Sequence, residues 1–320
     1  MKKTVRRIAA TAVASGIVAA GAVGLAGAAS ASTVSASQAI SYRFETLNNK
    51  NDPTFNQLLG INDFGVIAGY FGSGAAGHPN KGYLLTPSHT RYINENFPGS
   101  VQTQVTGLNN RGITVGFWSS MNNANMVNDN HGFVDVNGHF RNADFPTGDA
   151  AAPPVDQLLG VNDSDIAVGF FVDAQGNNHG YEYNINTGRF SSVVDPQNQG
   201  ASLQATAIND RGDIAGNIGS DGFLLRHGHL TELAVPGASA TMALGVSNFG
   251  EVVGTYTVGS GSSAQMHGFT WQAGRGFTSF DDPHGVGTTT VNGVNDFGQL
   301  VGFYVDAAGN TDGFLATPQR

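Results

Sequence analysis

Cysteine is absent from this sequence, basic residues are scarce, and no helical apolar period is visible beyond the N-terminal run. Without cysteine no disulfide can contribute, and the fold must be held by core burial alone. Lys and Arg together number 15 against 24 Asp and Glu. Four of those cations (Lys2, Lys3, Arg6 and Arg7) fall in the first 31 residues, which hold no acid, so the remainder carries 11 against 24, a net charge of −13. A surface of that sign repels phosphate backbones and anionic lipid, so neither nucleic acid nor membrane is an expected partner. Catalytic fingerprints are missing as well. There is no G-x-S-x-G, no phosphate-binding or dinucleotide loop, and no H-x-x-x-H pair.

The first segment passes from "MKKTVRR" through small and apolar residues to Ala29-Ser30-Ala31. That order is the signature of a secretory signal peptide. It predicts export, cleavage near Ala31 and a secreted, extracellular chain beginning at Ser32. Arg6-Arg7 leaves the general and twin-arginine routes both open. Residues 32–320, 289 of the 320, are then read as a single domain, expected to be monomeric.

What the chain has in abundance is glycine, 45 residues, and a phrase that comes back. The pattern G-x-N-D-x-G-x-x-x-G spans Gly60–Gly69, Gly107–Gly116, Gly160–Gly169, Ala207–Gly216, Gly245–Gly254 and Gly293–Gly302. The six copies start 47, 53, 47, 38 and 48 residues apart. Each is followed by a Gly-aromatic phrase: "KGYLL", "HGFVD", "HGYEY", "DGFLL", "HGFTW" and "DGFLA". In the first five units a third segment follows and ends at or near a proline.

Each unit reads as four strands. The N-D-x-G segment is a tight turn in which Gly supplies positive φ. Asp165 takes that place in the third copy, as Asp can. The "DAxGN" loops at Asp173 and Asp306 read as hairpins, and proline ends the fourth strand. Bulky pairs such as Tyr70-Phe71, Phe117-Trp118, Phe170-Phe171 and Phe303-Tyr304 put apolar surface on both faces of a strand. A sheet buried on both faces, with a period in the forties, predicts an all-β, six-bladed β-propeller of four-stranded antiparallel blades. The fourth copy lacks the bulky pair, and a thin blade is expected there. The last unit ends one strand short, while "SYRFETL" at the N-terminus is a strand with no unit of its own. The ring is therefore expected to close through the N-terminal strand, with Tyr42 or Phe44 buried between blades.

The phrases "GINDFGVIAGYF" and "GVNDFGQLVGFY", with the Gly-aromatic phrase behind them, resemble the HAF-type extracellular repeat of bacterial secreted proteins. The resemblance covers about Leu58 to Thr317. This chain has Gly where that repeat has Ala, and it keeps the histidine only at His131, His179 and His267. The resemblance implies an exported repeat protein and supplies no catalytic residues.

Candidate chemistry is sparse. The Asn-Asp pairs (Asn62-Asp63, Asn162-Asp163, Asn209-Asp210 and Asn295-Asp296) read as side-chain caps of turns rather than calcium or sugar ligands. The "DAAGNTDG" loop at Asp306 lacks the acid spacing of an EF-hand, and no metal or other cofactor is expected. The three histidines read as buried, hydrogen-bonded structural residues. Residues that break the repeat are Glu182, Asp144, Asp195 and the pair Asp281-Asp282, whose neighbours in a strand point to opposite sides. Two functions stay open. One is a non-catalytic module that binds glycan or protein through its loops and axial funnel, with Trp118, Trp271 and the 119–130 loop as contacts. The other is a polysaccharide hydrolase or lyase with carboxylates in the funnel.

Overall fold

A computed structural model describes residues 40–75, 77–120 and 129–319, so the signal segment and most of the 119–130 loop lie outside the described residues. The chain forms six four-stranded antiparallel sheets arranged in a ring, a six-bladed β-propeller. No α-helix occurs among the described residues.

From the axis outward, blade 1 is β2 (Asn56–Ile61), β3 (Ile67–Phe71), β4 (Lys81–Leu85) and β5 (Tyr92–Asn94). Blade 2 is β6 (Gln102–Leu108), β7 (Ile113–Ser119), β8 (His131–Val136) and β9 (His139–Asn142). Blade 3 is β10 (Asp156–Val161), β11 (Ile166–Val172), β12 (Asn178–Asn184) and β13 (Arg189–Ser192). Blade 4 is β14 (Leu203–Ile208), β15 (Ile214–Ile218), β16 (Asp221–Arg226) and β17 (His229–Leu233). Blade 5 is β18 (Ala240–Val246), β19 (Val252–Val258), β20 (Gln265–Gln272) and β21 (Gly276–Phe280). Blade 6 is β22 (Thr289–Val294), β23 (Leu300–Val305) and β24 (Thr311–Pro318), and its outermost strand is β1 (Tyr42–Thr46). β1 runs antiparallel to β24 with Phe44 opposite Ala316. Tyr42 and Phe44 are half-buried, their rings 5.2 and 5.3 Å from that of Phe280 in blade 5.

The repeated glycines are set by packing. The last Gly of the phrase faces the carbonyl of the innermost strand so closely that a Cβ on Gly302 would stand 1.9 Å from the Thr290 oxygen, and one on Gly254 1.8 Å from that of Met242. The same absence lets the aromatic ring of the next phrase lie against the backbone. Tyr83, Phe133, Tyr181, Phe223, Phe269 and Phe314 are at most 1% exposed, one per blade. Full burial of each is worth roughly 1.5–3 kcal/mol. They form the most regular layer of the core.

Blade 4 is not thin. Its four strands pair fully, and Asn217, which stands where four of the other blades carry an aromatic, accepts a hydrogen bond from Ala243 N in the next blade at 2.9 Å. A polar bridge between blades replaces the missing ring. The turn prediction holds at its odd member, Asp165, whose φ is +61°.

Antiparallel order gives the ring two unlike ends. The β2–β3 turn and its equivalents, short and built on N-D-x-G, stand at one end with the outer hairpins. The longer connections (72–80, 173–177, 259–264, 306–310) and the links between blades stand at the other. We call these the turn face and the loop face.

Candidate functional site

Every innermost strand carries a β-bulge at the same place, between Leu58 and Gly60, Val105 and Gly107, Leu158 and Gly160, Ala205 and Ala207, Ala243 and Gly245, and Val291 and Gly293. A bulge re-aims the extra side chain. Here the extra residues are Leu59, Thr106, Leu159, Thr206, Leu244 and Asn292, and all six line the axial tunnel. Apolar and polar members alternate around the ring. Each polar one reaches the following blade: Thr106 Oγ1 donates to Leu158 O at 2.8 Å, Thr206 Oγ1 to Ala243 O at 2.8 Å, and Asn292 Nδ2 to Leu58 O at 2.8 Å. This ring bounds two cavities, one toward each face.

The loop-face funnel holds about 90 Å³. Beyond the bulge ring it is lined by Met242, Met266, Phe117 and Phe303, with Gln57, Gln104, Thr255 and Thr290 between them. The polar groups are largely engaged in the wall. Gln57 Oε1 accepts from the Tyr70 hydroxyl at 2.8 Å, Gln104 Nε2 donates to Asn80 Oδ1 at 3.0 Å, and Thr255 Oγ1 donates to His267 O at 3.0 Å. The buried Thr290 hydroxyl has no partner. What remains open to a ligand is mainly Leu, Met and Phe. No Asp, Glu or His is among the described lining residues.

The turn-face mouth, about 120 Å³, is different in kind. The first polar residue of each turn caps it, an Asn in five blades and Ser247 in blade 5; Asn62 Oδ1, for example, accepts from Phe64 N and Val66 N. The next residue does something else. Asp63 N donates to Asn110 Oδ1, Asn110 N to Asp163 Oδ1, Asp163 N to Asp210 Oδ1, Asp210 N to Asn248 Oδ1, Asn248 N to Asp296 Oδ1 and Asp296 N to Asp63 Oδ1, at 2.7–2.9 Å. The circle is complete and runs in one sense. Asn110 Nδ2 donates to Asp63 and Asp163, and Asn248 Nδ2 to Asp210 and Asp296. Four carboxylates thus surround the axis, and each oxygen accepts one bond from within the ring. Asp side chains expected to cap turns are instead bridges between blades. Sequence spacing puts them in equivalent turns; only the ring closes them on one another.

No family model matches the chain, and no curated protein matches it. Solved structures do. TolB from Acinetobacter baumannii aligns over 80% of this chain at 12% identity with a TM-score of 0.50, and this chain spans 65% of that one. A streptogramin B lyase aligns over 86% of this chain and 97% of its own at 12% identity, TM-score 0.48. An Aleuria aurantia lectin in complex with Fucalpha1-6GlcNAc aligns over 70% and 77% at 9% identity, TM-score 0.41. The likeness is one of fold.

The remaining sequence candidates are scattered over the loop face and the blade edges. His131 Nδ1 lies 2.8 Å from Asp144, His267 Nδ1 2.9 Å from Asp281, and His179 Nε2 2.8 Å from Asp173. These histidines are hydrogen-bonded but not buried: their side chains are 24%, 26% and 46% exposed, because each sits at the rim where a third strand begins. Trp118 lies 4.6 Å from Phe97 and 4.9 Å from His131, ring to ring, and its Nε1 donates to Asn142 Oδ1. Trp271 packs on Phe277 within blade 5. Just past the end of β21, Asp282 turns inward beside His284 while Asp281 turns out. Glu182 receives a hydrogen bond from Ser191 Oγ and Asp195 caps its own turn. Asp173 and Asp306 each accept two backbone N–H bonds from their own hairpins, which accounts for the "DAxGN" loops. None of these approaches the axis.

Two carboxylates with altered acidity were not singled out from sequence. Asp156 at the head of β10 is buried, and burial pushes it up to about 7 despite hydrogen bonds from Tyr181 and from Phe145 N. Glu95 is likewise raised by burial and by neighbouring Asp135, though it accepts from Thr114 Oγ1 at 2.6 Å. Both are packed among blades and line neither cavity, so they bear on stability rather than on a ligand.

Proposed function

We propose that this is an exported, non-catalytic propeller of the HAF-type repeat kind, which binds an extracellular partner through its loop-face funnel. The observation that carries the reading is the funnel's lining. Its polar atoms are largely spent on the wall, and the open surface is Leu, Met and Phe. Such a surface gains from desolvating an apolar group. A sugar would need free donors and acceptors to replace the water it loses. Of the two ligand classes the sequence leaves open, glycan and protein, the lining favours a protein that presents an apolar side chain. At about 90 Å³ the cavity takes one such group, while the surrounding loops supply the rest of the contact.

The test uses the repeat's own alternatives. Met242→Gln and Leu244→Thr install what other blades carry at the same ring positions, so the fold should be kept. Peptide and glycan arrays are probed with the wild type and the double variant, beside a screen for polysaccharide breakdown. The expected result is a peptide signal weakened at least tenfold in the variant, with no polysaccharide shortened. Breakdown of a polysaccharide that depends on the funnel residues would replace this reading with the hydrolase or lyase.

A further inference from the structure

The third residue of the turn phrase differs among blades. It is Phe64, Arg111, Ser164, Arg211, Phe249 and Phe297 in blades 1 to 6. The three phenylalanines are 67%, 62% and 64% exposed, and blades 5, 6 and 1 are consecutive around the ring. Three large aromatic side chains thus form a crescent on half of the turn face. Exposed aromatics on three consecutive turns beside a mouth offer a contact surface for a partner.

The charges are divided in the same way. On the crescent side, Asp63 and Asp296 are adjacent in the carboxylate circle, each directly followed by an exposed Phe, with no basic residue in either turn. On the other side, Asp163 and Asp210 are adjacent but stand beside Arg111 and Arg211. Arg111 Nη1 also donates to the Asp163 carbonyl and to Asp165. Arg226, near Gly250, is paired with Asp213, and Arg275 acts on Glu251. The crescent therefore borders the part of the mouth where negative charge is least offset. Each of its carboxylate oxygens accepts one bond within the ring, which leaves a lone pair for a further donor.

We propose that this face docks a lysine-bearing segment of a protein partner, with the ammonium seated between Asp63 and Asp296 and flanking apolar side chains laid on Phe64, Phe249 and Phe297. A second copy of this chain does not suit, because apposing two such faces would bring two four-carboxylate circles together. A compact ammonium can share its three donors between two carboxylates, whereas a guanidinium fork is built to engage one carboxylate bidentately. Anionic surfaces are repelled, and a cationic sugar would satisfy the acids but leave the crescent uncovered.

The probe is an immobilised array of acetylated pentapeptides with lysine at the centre and Leu, Phe, Trp or Val on either side. The best of these is titrated in solution against the full protein. Expected are saturable binding, a loss of at least tenfold on acetylating the lysine, and a similar loss in the protein Phe64→Ser/Phe249→Ser/Phe297→Ser. Raising salt from 0.05 to 0.5 M should weaken binding several-fold. The single funnel variant Met242→Gln, at a residue that lines the loop-face cavity and not the turn-face mouth, should bind as the wild type does, which separates this site from the one proposed above. Because the three phenylalanines are exposed, an unchanged melting temperature serves as the folding control. The proposal is overturned if no peptide saturates below about 1 mM (roughly 4 kcal/mol of binding free energy). Binding that survives acetylation or the triple substitution overturns it too, as does equal binding of a chitosan oligomer.

Discussion

Removing residues 32–47 takes a strand from the sixth blade alone, and it asks what β1 contributes to the ring. Leu47, only 6% exposed, packs with Leu58, Tyr83 and Leu315 at the junction of blades 1 and 6. Its full burial is worth about 1.5–3 kcal/mol. Tyr42 and Phe44 lose half-buried surface and their contacts with Phe280 and Phe314, at 5.2–6.2 Å between ring centres. Half burial and aromatic pairing together add about 2–4 kcal/mol. The loss, roughly 4–7 kcal/mol, is a large part of a total stability that is on the order of 5–15 kcal/mol. For a domain of this size that corresponds to a fall of about 10–20 °C in Tm. The deletion also strips β24 of its partner and leaves an open sheet edge, so association at micromolar concentration is expected. The experiment compares chains beginning at Ser32 and at Asn48 by thermal melting and size exclusion. A shorter chain that melts within about 3 °C of the longer one and stays monomeric would refute the reasoning.

Two further outcomes follow from the packing and the buried acids. Gly302→Ala should lower stability by more than about 3 kcal/mol, since its Cβ would stand 1.9 Å from the Thr290 carbonyl, whereas Gly309→Ala, with φ +85° and open space around it, should cost about 1 kcal/mol; equal melting temperatures for the two would contradict the close approach. Asp156 has its folded pKa raised to about 7, so it binds a proton more tightly in the native state. Its contribution is fully present below about pH 4, shrinks as pH rises through 4 to 7, and is gone above, a change on the order of 4 kcal/mol. Asp156→Asn should therefore gain on the wild type by about 4 °C or more in Tm between pH 4.5 and 8, and parallel melting curves across that range would count against the burial argument.

Much of the architecture can be read from the phrase itself, because each of its letters meets a local demand. Gly65 and Asp165 supply positive φ, and Gly302 clears a carbonyl. These demands are the same in every copy, so repetition reveals them. What could not be read is set by neighbours in the ring. The Asp63 side chain looks like a turn cap within its own blade and becomes a bridge only because Asp296 arrives from 233 residues away. The bulge that turns Leu59 to the axis depends on pairing with β3, and nothing in "LLGIND" marks which leucine moves. His131 reads in the sequence as a buried structural residue because no metal-type pair or cluster accompanies it. Its place at the start of β8, on the rim, decides otherwise. The Phe crescent was visible letter by letter but meaningless until blades 5, 6 and 1 became consecutive.

The circle of backbone donors and side-chain acceptors on the turn face carries a consequence for how such a ring can be assembled. Every blade gives one bond forward and takes one from behind, and so do the Thr and Asn members of the bulge ring, always toward the following blade. A circuit of that kind has no first member and no last. Its backbone donors would close equally well with five blades or seven. The blade number must therefore be fixed by steric wedging: Gly60, Gly107 and Gly293 each lie so near the adjacent strand that a Cβ would come within 2.9–3.2 Å of its backbone. The hydrogen bonds link whichever blades are neighbours, and the glycines set the angle at which six of them meet.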